Sequence, residues 1–451
     1  MQITMKDITR RDFLKGAALA GTTAALAASG IDLSAQETAA ASGKMELRTS
    51  GSGDQVSLLG YGCMRMPTID GTRNTPVDID AQMRLVDYAI EHGVNYFDTA
   101  PVYTGGLSEG YTGQCLSRHP RDKYFIATKM SNAWGDTSLA AGKKMYRNSF
   151  KELRVDYIDY YLLHNIGSSI EVFNQRFIDN GLLEFLLKER DAGRIRNLGW
   201  SFHGKKEVFD HIVSLHEQYH WDFVQIQHNY LDWNHAGGRN VNSSYLYEEL
   251  ASRDIPMTVM EPLRGGALAN VPEQIARKLL ERRPADSIAR WAFRFAGSQP
   301  KILSVLSGMT YMEHLQDNIA TYSGFVPCTE EELDLLERIA IEMTEFPLID
   351  CTECGYCLPC KYGIDIPAIF MHYNKCIKEE MMPISSADAN YRKLRRAFLI
   401  GYDRSVPALQ QASHCIGCGE CTPKCPQQIQ IPTHLHRIDE FVEKLKQGKE
   451  F

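Results

Sequence analysis

From residue 56 onward the chain alternates short β-branched or aromatic runs with stretches whose apolar residues recur at helical spacing. The strand-like runs stand at residues 56–60, 94–98, 124–128, 157–163, 197–201, 223–227, 257–260 and 302–306. Helical periodicity fills intervals between them at 80–91, 182–192, 205–219 and 285–295, and a further helix at 330–343 follows the last unit. Strands that alternate with helices make βα units and a parallel sheet. Eight such units within roughly 290 residues predict an α/β fold closed as a (β/α)8 TIM barrel. A doubly wound sheet is the competitor. Its phosphate fingerprint, Gly-x-Gly-x-x-Gly, is missing after the first strand, where only Gly60-Tyr61-Gly62-Cys63 appears.

After Pro347 the pattern changes to runs of cysteine separated by helical segments at 369–381 and 391–400. The chain thus divides into a leading segment at 1–44, a barrel at 45–346 and a small, mainly helical domain at 347–451. Composition leaves this picture standing: of 451 residues, 44% are hydrophobic and 23% charged, enough for a sizeable core and incompatible with wholesale disorder. A net charge of -7, from 56 acidic against 49 basic residues, provides no electrostatic footprint for nucleic acid.

Cysteine usage does add to the picture. Of 12 cysteines, Cys63, Cys115, Cys328 and Cys376 stand alone, and the rest form two tight runs near the C-terminus. Cysteines two residues apart are poorly placed to staple a fold, whereas short loops of that spacing turn several thiolates toward one metal centre. They predict cofactors rather than disulfides.

At the other end, Thr9-Arg10-Arg11-Asp12-Phe13-Leu14-Lys15 precedes a weakly apolar, Ala/Gly-rich run at 16–30. This order resembles a twin-arginine export signal, with a small-residue cleavage site between Ser29 and Ala41. The run is too short and too weakly apolar to anchor as a spanning helix. The resemblance implies export in the folded state to a periplasmic or other extracytoplasmic compartment, with no integral membrane segment and with metal centres acquired before export.

In a barrel of this type the reacting groups sit where strands end at the C-terminal face. Asp98 ends the second strand with Tyr103 in the loop beyond, Lys129 ends the third and His164 the fourth. The four are coherent for carbonyl reduction, because the alkoxide formed on hydride transfer needs a proton. Tyr103 would supply it, with Lys129, paired to Asp98, favouring the phenolate and so lowering the phenol's pKa. His164 would hold the carbonyl oxygen by a hydrogen bond.

At these residues the chain resembles the aldo-keto reductase superfamily, over roughly residues 45–325, with that family's Asp, Tyr, Lys and His falling on Asp98, Tyr103, Lys129 and His164. The resemblance implies an NAD(P) cofactor. Its carboxamide contacts would be Ser201, in Gly199-Trp200-Ser201-Phe202-His203, and Gln225; Glu261, Leu263, Gly308, His314 and Asn318 would follow along the dinucleotide. There are departures. His203 stands where the family usually has Asn, Met260 where an aromatic residue often stacks on the nicotinamide, and Glu261-Pro262-Leu263 where it has Ser-Pro-Leu. Gly308 and His314 occupy the positions at which NADP-preferring members carry Lys and Arg. NAD and NADP therefore both stay open.

Cys415-x2-Cys418-x2-Cys421-x3-Cys425-Pro426 has bacterial ferredoxin spacing. Cys351-x2-Cys354-x2-Cys357-x2-Cys360 is one residue shorter before its last cysteine, with Lys361 in place of Pro. The pair resembles a ferredoxin-type two-cluster module, closest to the helical ferredoxin domains of respiratory iron-sulfur subunits. That resemblance implies two 4Fe-4S clusters, one on Cys351, Cys354, Cys357 and Cys425, the other on Cys415, Cys418, Cys421 and Cys360. One cluster with a vestigial run is an alternative. So is zinc, although four-cysteine zinc sites usually use two separated pairs. Cys376 is near enough to the first run to be a spare ligand, and Cys63, Cys115 and Cys328 read as small core residues.

His216-Glu217-Gln218-Tyr219-His220 matches the zinc-protease H-E-x-x-H. Its helix leads directly into the strand at 223–227, which puts its end at the face opposite the strand C-termini, so a solvated helix end is the reading adopted.

The sequence thus describes an exported aldo-keto reductase-like oxidoreductase with a C-terminal iron-sulfur domain. Its reaction would be reversible hydride transfer between NAD(P) and an aldehyde, ketone or alcohol, sugars included, with a redox partner protein as a further partner. Two rivals remain: a redox-sensing or electron-transfer module whose barrel binds nucleotide without turnover, and a lyase or epimerase with a permanently held nicotinamide. Export to a compartment without free NAD(P)H leads us to expect a tightly held nucleotide and electron passage between it and the clusters, although no flavin motif is present to split the electron pair.

Overall fold

A computed structural model describes residues 43–71, 75–237 and 240–448; the twin-arginine stretch lies outside the described residues. Parallel strands follow one another round a closed ring in chain order: β3 (Leu59–Gly62), β4 (Tyr96–Asp98), β5 (Phe125–Met130), β6 (Ile158–Ile166), β7 (Ile195–Phe202), β8 (Phe223–Gln227), β9 (Met257–Met260) and β10 (Ile302–Ser307). The last closes on the first through Val305 opposite Leu59. Ahead of the ring, β1 (Leu47–Thr49) and β2 (Gln55–Ser57) form an antiparallel hairpin.

That hairpin corrects the single strand expected at 56–60. The Ser57 amide donates to Asn95 Oδ1 at 2.7 Å and the Ser57 hydroxyl to the Leu59 carbonyl at 2.7 Å, so the chain turns at Leu58 before entering the barrel. Val56 then packs with Tyr96, Tyr160, Leu162 and Phe223 and stops the N-terminal end of the ring. Strand alternation does the rest. Phe97, Ile126, Leu198, Trp200 and Val224 point outward into the core shared with the helices, while the residues between them point inward and carry the mouth's polar groups.

The helix expected at 205–219 breaks at Leu215 into Lys206–Ser214 and His216–Tyr219. His216 Nδ1 accepts from the Trp221 amide at 3.1 Å, and His220 has a left-handed backbone, φ 51°. The H-E-x-x-H segment is thus a helix terminus. Among the described residues, no three His, Cys, Asp or Glu side chains converge where a single metal ion could be held.

Beyond the barrel, Ile366–Lys378, Tyr391–Ser405 and Ile431–Gln447 pack round their own apolar core, which includes Phe370, Phe398, Tyr402, Leu435 and Val442, with cysteines of both runs at its edge. The first of these helices begins earlier than the expected 369, because Asp365 caps it by accepting from the Ala368 amide and Pro367 sits in its first turn. Cys376 lies inside this core, its Sγ 3.7 Å from His372, and so is not a spare ligand on the cysteine loops. Cys63 and Cys115 are buried, as expected, and Cys328 is partly buried.

The helix Glu330–Thr344, which ends the barrel region, is held by one carboxylate. Glu332 closes a capping box with Thr329 and accepts from Arg283 Nε at 2.5 Å and Arg294 Nη2 at 2.9 Å. Burial alone would push its carboxyl up, but the bonds from Arg283 and Arg294 prevail and hold its pKa at about 2. Because that lies below the ordinary value of 4.5, the stabilisation is complete above pH 4.5 and is lost as pH falls toward 2. Glu332→Gln should therefore melt below wild type at pH 7, with the gap closing between those two values. A pH-independent gap in thermal unfolding midpoints would contradict this.

Candidate active site

A cavity of about 640 Å3 opens at the C-terminal mouth of the barrel, within the range of small-molecule sites. Asp98, from the end of β4, Tyr103, from the loop after it, and His164, from β6, line it together. Lys129 of β5 is fully buried behind them, its Nζ donating to Asp98 Oδ1 at 2.5 Å and to the Thr99 carbonyl at 2.8 Å. Gln225 Nε2 donates to the other carboxylate oxygen of Asp98 at 3.2 Å. Burial raises the Asp98 pKa and lowers that of Lys129, each opposed by the charge of the other.

Tyr103 departs from expectation. Burial, followed by the Tyr356 and Asp98 charges, holds its phenol well above the ordinary value, where a lowering by Lys129 was predicted. Lys129 Nζ is 5.0 Å from the Tyr103 ring centroid, but its charge is engaged by Asp98. His164 is kept neutral by burial and then by the positive charges of Lys129 and Arg176. Its Nδ1 is 2.6 Å from Ser131 Oγ, and its ring stands nearly perpendicular to that of Tyr103, centroids 5.8 Å apart.

Each residue expected along the dinucleotide borders the same cavity: Ser201 and Gln225 on β7 and β8, Glu261 and Leu263 after β9, and Gly308, His314 and Asn318 after β10. Ser201 Oγ accepts from the Asn165 amide at 2.9 Å, and Asn318 Nδ2 donates to Ser307 Oγ at 3.0 Å. The site also holds residues that the sequence did not signal. Arg65, from the loop after β3, lies over Gly308, where a Cβ would stand 3.3 Å from the arginine's own Cβ. The aliphatic stem of Arg65 thus lies against Gly308, while its guanidinium reaches the Thr352 carbonyl. Cys354, Tyr356 and Pro426, all from the cysteine region, complete the wall.

These last contacts exist because the cysteine region is docked on the barrel mouth. Arg264 pairs with Asp232 at 3.3 Å and with Asp350 at 3.0 Å. Arg65 Nη2 donates to the Thr352 carbonyl at 2.6 Å, and Gln427, two residues after Cys425, donates to Gln227 Oε1 at 3.2 Å. Cys351, Cys354, Cys357 and Cys425 rim a hollow walled by Ile366, Phe370 and Ile429. In the second set, Cys421 lies within the electrostatic reach of Cys415, Cys418 and Cys360. Four thiols round an apolar-walled hollow suit an all-cysteine iron-sulfur cubane.

Residues 58–341 match the aldo/keto reductase family, residues 350–430 a 4Fe-4S dicluster domain and residues 7–27 the TAT (twin-arginine translocation) pathway signal sequence. The chain belongs to the aldo/keto reductase family and is an oxidoreductase with a ferredoxin-like dicluster domain, carrying two 4Fe-4S clusters and a signal for export by the twin-arginine pathway. It is 27% identical to the uncharacterized oxidoreductase YqkF of Bacillus subtilis over 65% of this chain and 96% of that protein. It is 26% identical to L-galactose dehydrogenase of Arabidopsis thaliana over 66% of this chain and 94% of that one. Among solved structures, the holo form of aldo-keto reductase AKR11C1 from Bacillus halodurans shares the fold, with a TM-score of 0.53 at 24% identity over 65% of this chain and 96% of that one. An aldo-keto reductase from Klebsiella pneumoniae in complex with NADPH gives 0.53 at 20% identity, covering 66% and 95%. No helix among the described residues is long and apolar enough to cross a membrane.

The buried pair can be tested apart from activity. Asp98→Asn strands the Lys129 ammonium in a dry site and should cost about 3–5 kcal/mol of stability, most of it recovered in the double variant Asp98→Asn/Lys129→Met. Additive losses in chemical denaturation would contradict the pairing. Anaerobically prepared protein should contain about eight iron and eight sulfide per chain; about four of each would contradict two clusters.

Proposed function

We propose that the barrel catalyses reversible hydride transfer between NAD(P) and an aldehyde, ketone or alcohol, with Tyr103 as the proton donor. The observation that carries this reading is the convergence of Asp98, Tyr103 and His164 on one cavity that also reaches Ser201, Gln225, Gly308 and Asn318. The nicotinamide, when bound, gives or accepts the hydride. The K. pneumoniae relative solved with NADPH supports a nicotinamide ligand, and so does the similarity, 25% over 307 residues, to the NADH-specific methylglyoxal reductase of Escherichia coli.

The residues have distinct tasks. Tyr103, with its raised pKa, is fully protonated at neutral pH and can donate to the oxygen that becomes the alcohol. His164 is neutral, Ser131 engages its Nδ1, and Nε2 is the nitrogen that would bond the substrate oxygen. Lys129 and Asp98 form a fixed ion pair behind the phenol and set the field around it. Ser201 and Gln225 would hold the carboxamide, with Gln225 exchanging its bond to Asp98 for the ligand. Glu261, Leu263, Gly308, His314 and Asn318 would bound the remainder of the dinucleotide.

In this reading, residues 45–346 bind substrate and nucleotide, and residues 347–451 hold the clusters on the two exchanged cysteine sets. Two clusters supply one-electron storage beside a site that moves electron pairs. A redox partner protein would meet the chain at the second set, where Cys418, Ile416 and Leu409 are exposed.

Tyr103→Phe is expected to lower turnover by about 10²–10⁴-fold and to leave nucleotide binding, read by quenching of protein fluorescence, unchanged. Near-wild-type turnover in that variant would sink the proton-donor assignment.

A further inference from the structure

The wall of the cavity opposite the barrel's own residues comes from the first cysteine loop. Glu353 and Gly355 take left-handed backbones, φ 55° and 78°, and the intervening Cys354 and the following Tyr356 both reach the cavity that holds Tyr103. Tyr356 and Tyr103 thus line one cavity, with their side chains close enough to interact. Nothing about this contact is adventitious in the fold. Thr352, two residues before Cys354, is clamped by Arg65 at 2.6 Å and lies so close to Gly265 that a Cβ there would stand 2.3 Å from its carbonyl oxygen. The same loop supplies Cys351, Cys354 and Cys357 to the first hollow.

We propose that Tyr356 is a positioning residue for Tyr103 and a wall of the substrate pocket, so that the reductase site is complete only when the first cysteine loop is wrapped round its cluster. This rests on Tyr103 being the proton donor. A phenol on a short 3-10 turn, with Thr104 and Gly105 both at positive φ, gains a fixed hydroxyl direction from a partner anchored in a second unit. Pre-organisation of that kind acts on the chemical step more than on ground-state binding. The ring of Tyr356, by contrast, acts through shape and bounds the space for the substrate.

The test uses full-length holoprotein labelled with 3-fluorotyrosine, the Tyr103 fluorine resonance being assigned by its loss in Tyr103→Phe. In Tyr356→Phe, with iron content at the wild-type level, the Tyr103 resonance should move more than that of any other tyrosine. Methylglyoxal, used as probe carbonyl, should then show kcat lowered roughly tenfold with KM within about twofold, the size expected for one lost polar contact. In wild-type protein, dithionite reduction should broaden the Tyr103 and Tyr356 resonances together, a reading that survives if the variant fails to assemble. An unmoved Tyr103 resonance in iron-replete Tyr356→Phe, or a sharp Tyr103 resonance beside reduced clusters, would overturn the proposal. The proton-donor reading fails separately, through the turnover of Tyr103→Phe.

Discussion

A guanidinium buried between two carboxylates holds this molecule together at the place where its chemistry is assembled. Arg264 follows β9, is 8% exposed, and faces Asp232 of the barrel on one side and Asp350, one residue before the first cysteine, on the other. A buried charge of this kind is costly to leave unpaired, so the arginine constrains where residue 350 can lie. From there the path is short. Thr352 meets Arg65 and Gly265, and Cys354 and Tyr356 enter the cavity. On the other cysteine run, Gln427 binds both Gln227 of β8 and Asn240. Both runs are thus fixed to the same mouth, and the hollow rimmed by Cys351, Cys354, Cys357 and Cys425 is lined by residues of both runs.

The barrel contributes a second dry ion pair. Lys129 and Asp98 offset each other's desolvation, and the Asp98 carboxylate adds to burial in raising the pKa of Tyr103, whose phenol therefore stays protonated. A donor that must give up a proton in the transition state needs its proton present and its direction fixed. The pair provides the first condition by leaving burial to dominate. In the proposed account, the loop from the cysteine region provides the second. Two units with separate apolar cores therefore share one cavity.

Much of this was legible in the chain. The runs at 223–227 and 257–260 match β8 and β9 residue for residue, because short apolar-rich runs, interrupted only by Gln225, Gln227 and Thr258 and bounded by turns, leave little choice. The strand-end polar residues converge as expected because barrel topology carries every strand end to one rim. The sequence was less informative wherever a tertiary contact overrides local pattern. The bend at Leu58 depends on Asn95, the break at Leu215 ends in a histidine backbone turn, and the sign of the Tyr103 shift depends on a lysine already spent on another partner. Arg65 and Thr352 are 287 residues apart, and no spacing rule joins them. Tyr356 was hidden for a related reason: between ligating cysteines it reads as loop filling until the barrel is placed against it.

The most direct measurement is iron-edge anomalous diffraction from anaerobically grown crystals of the holoprotein. The account predicts one iron centre among Cys351, Cys354, Cys357 and Cys425, with Tyr356 between it and Tyr103, and a second among Cys360, Cys415, Cys418 and Cys421. An iron centre bounded by Cys351, Cys354, Cys357 and Cys360 alone, or a cysteine region lifted off the barrel mouth, would contradict it.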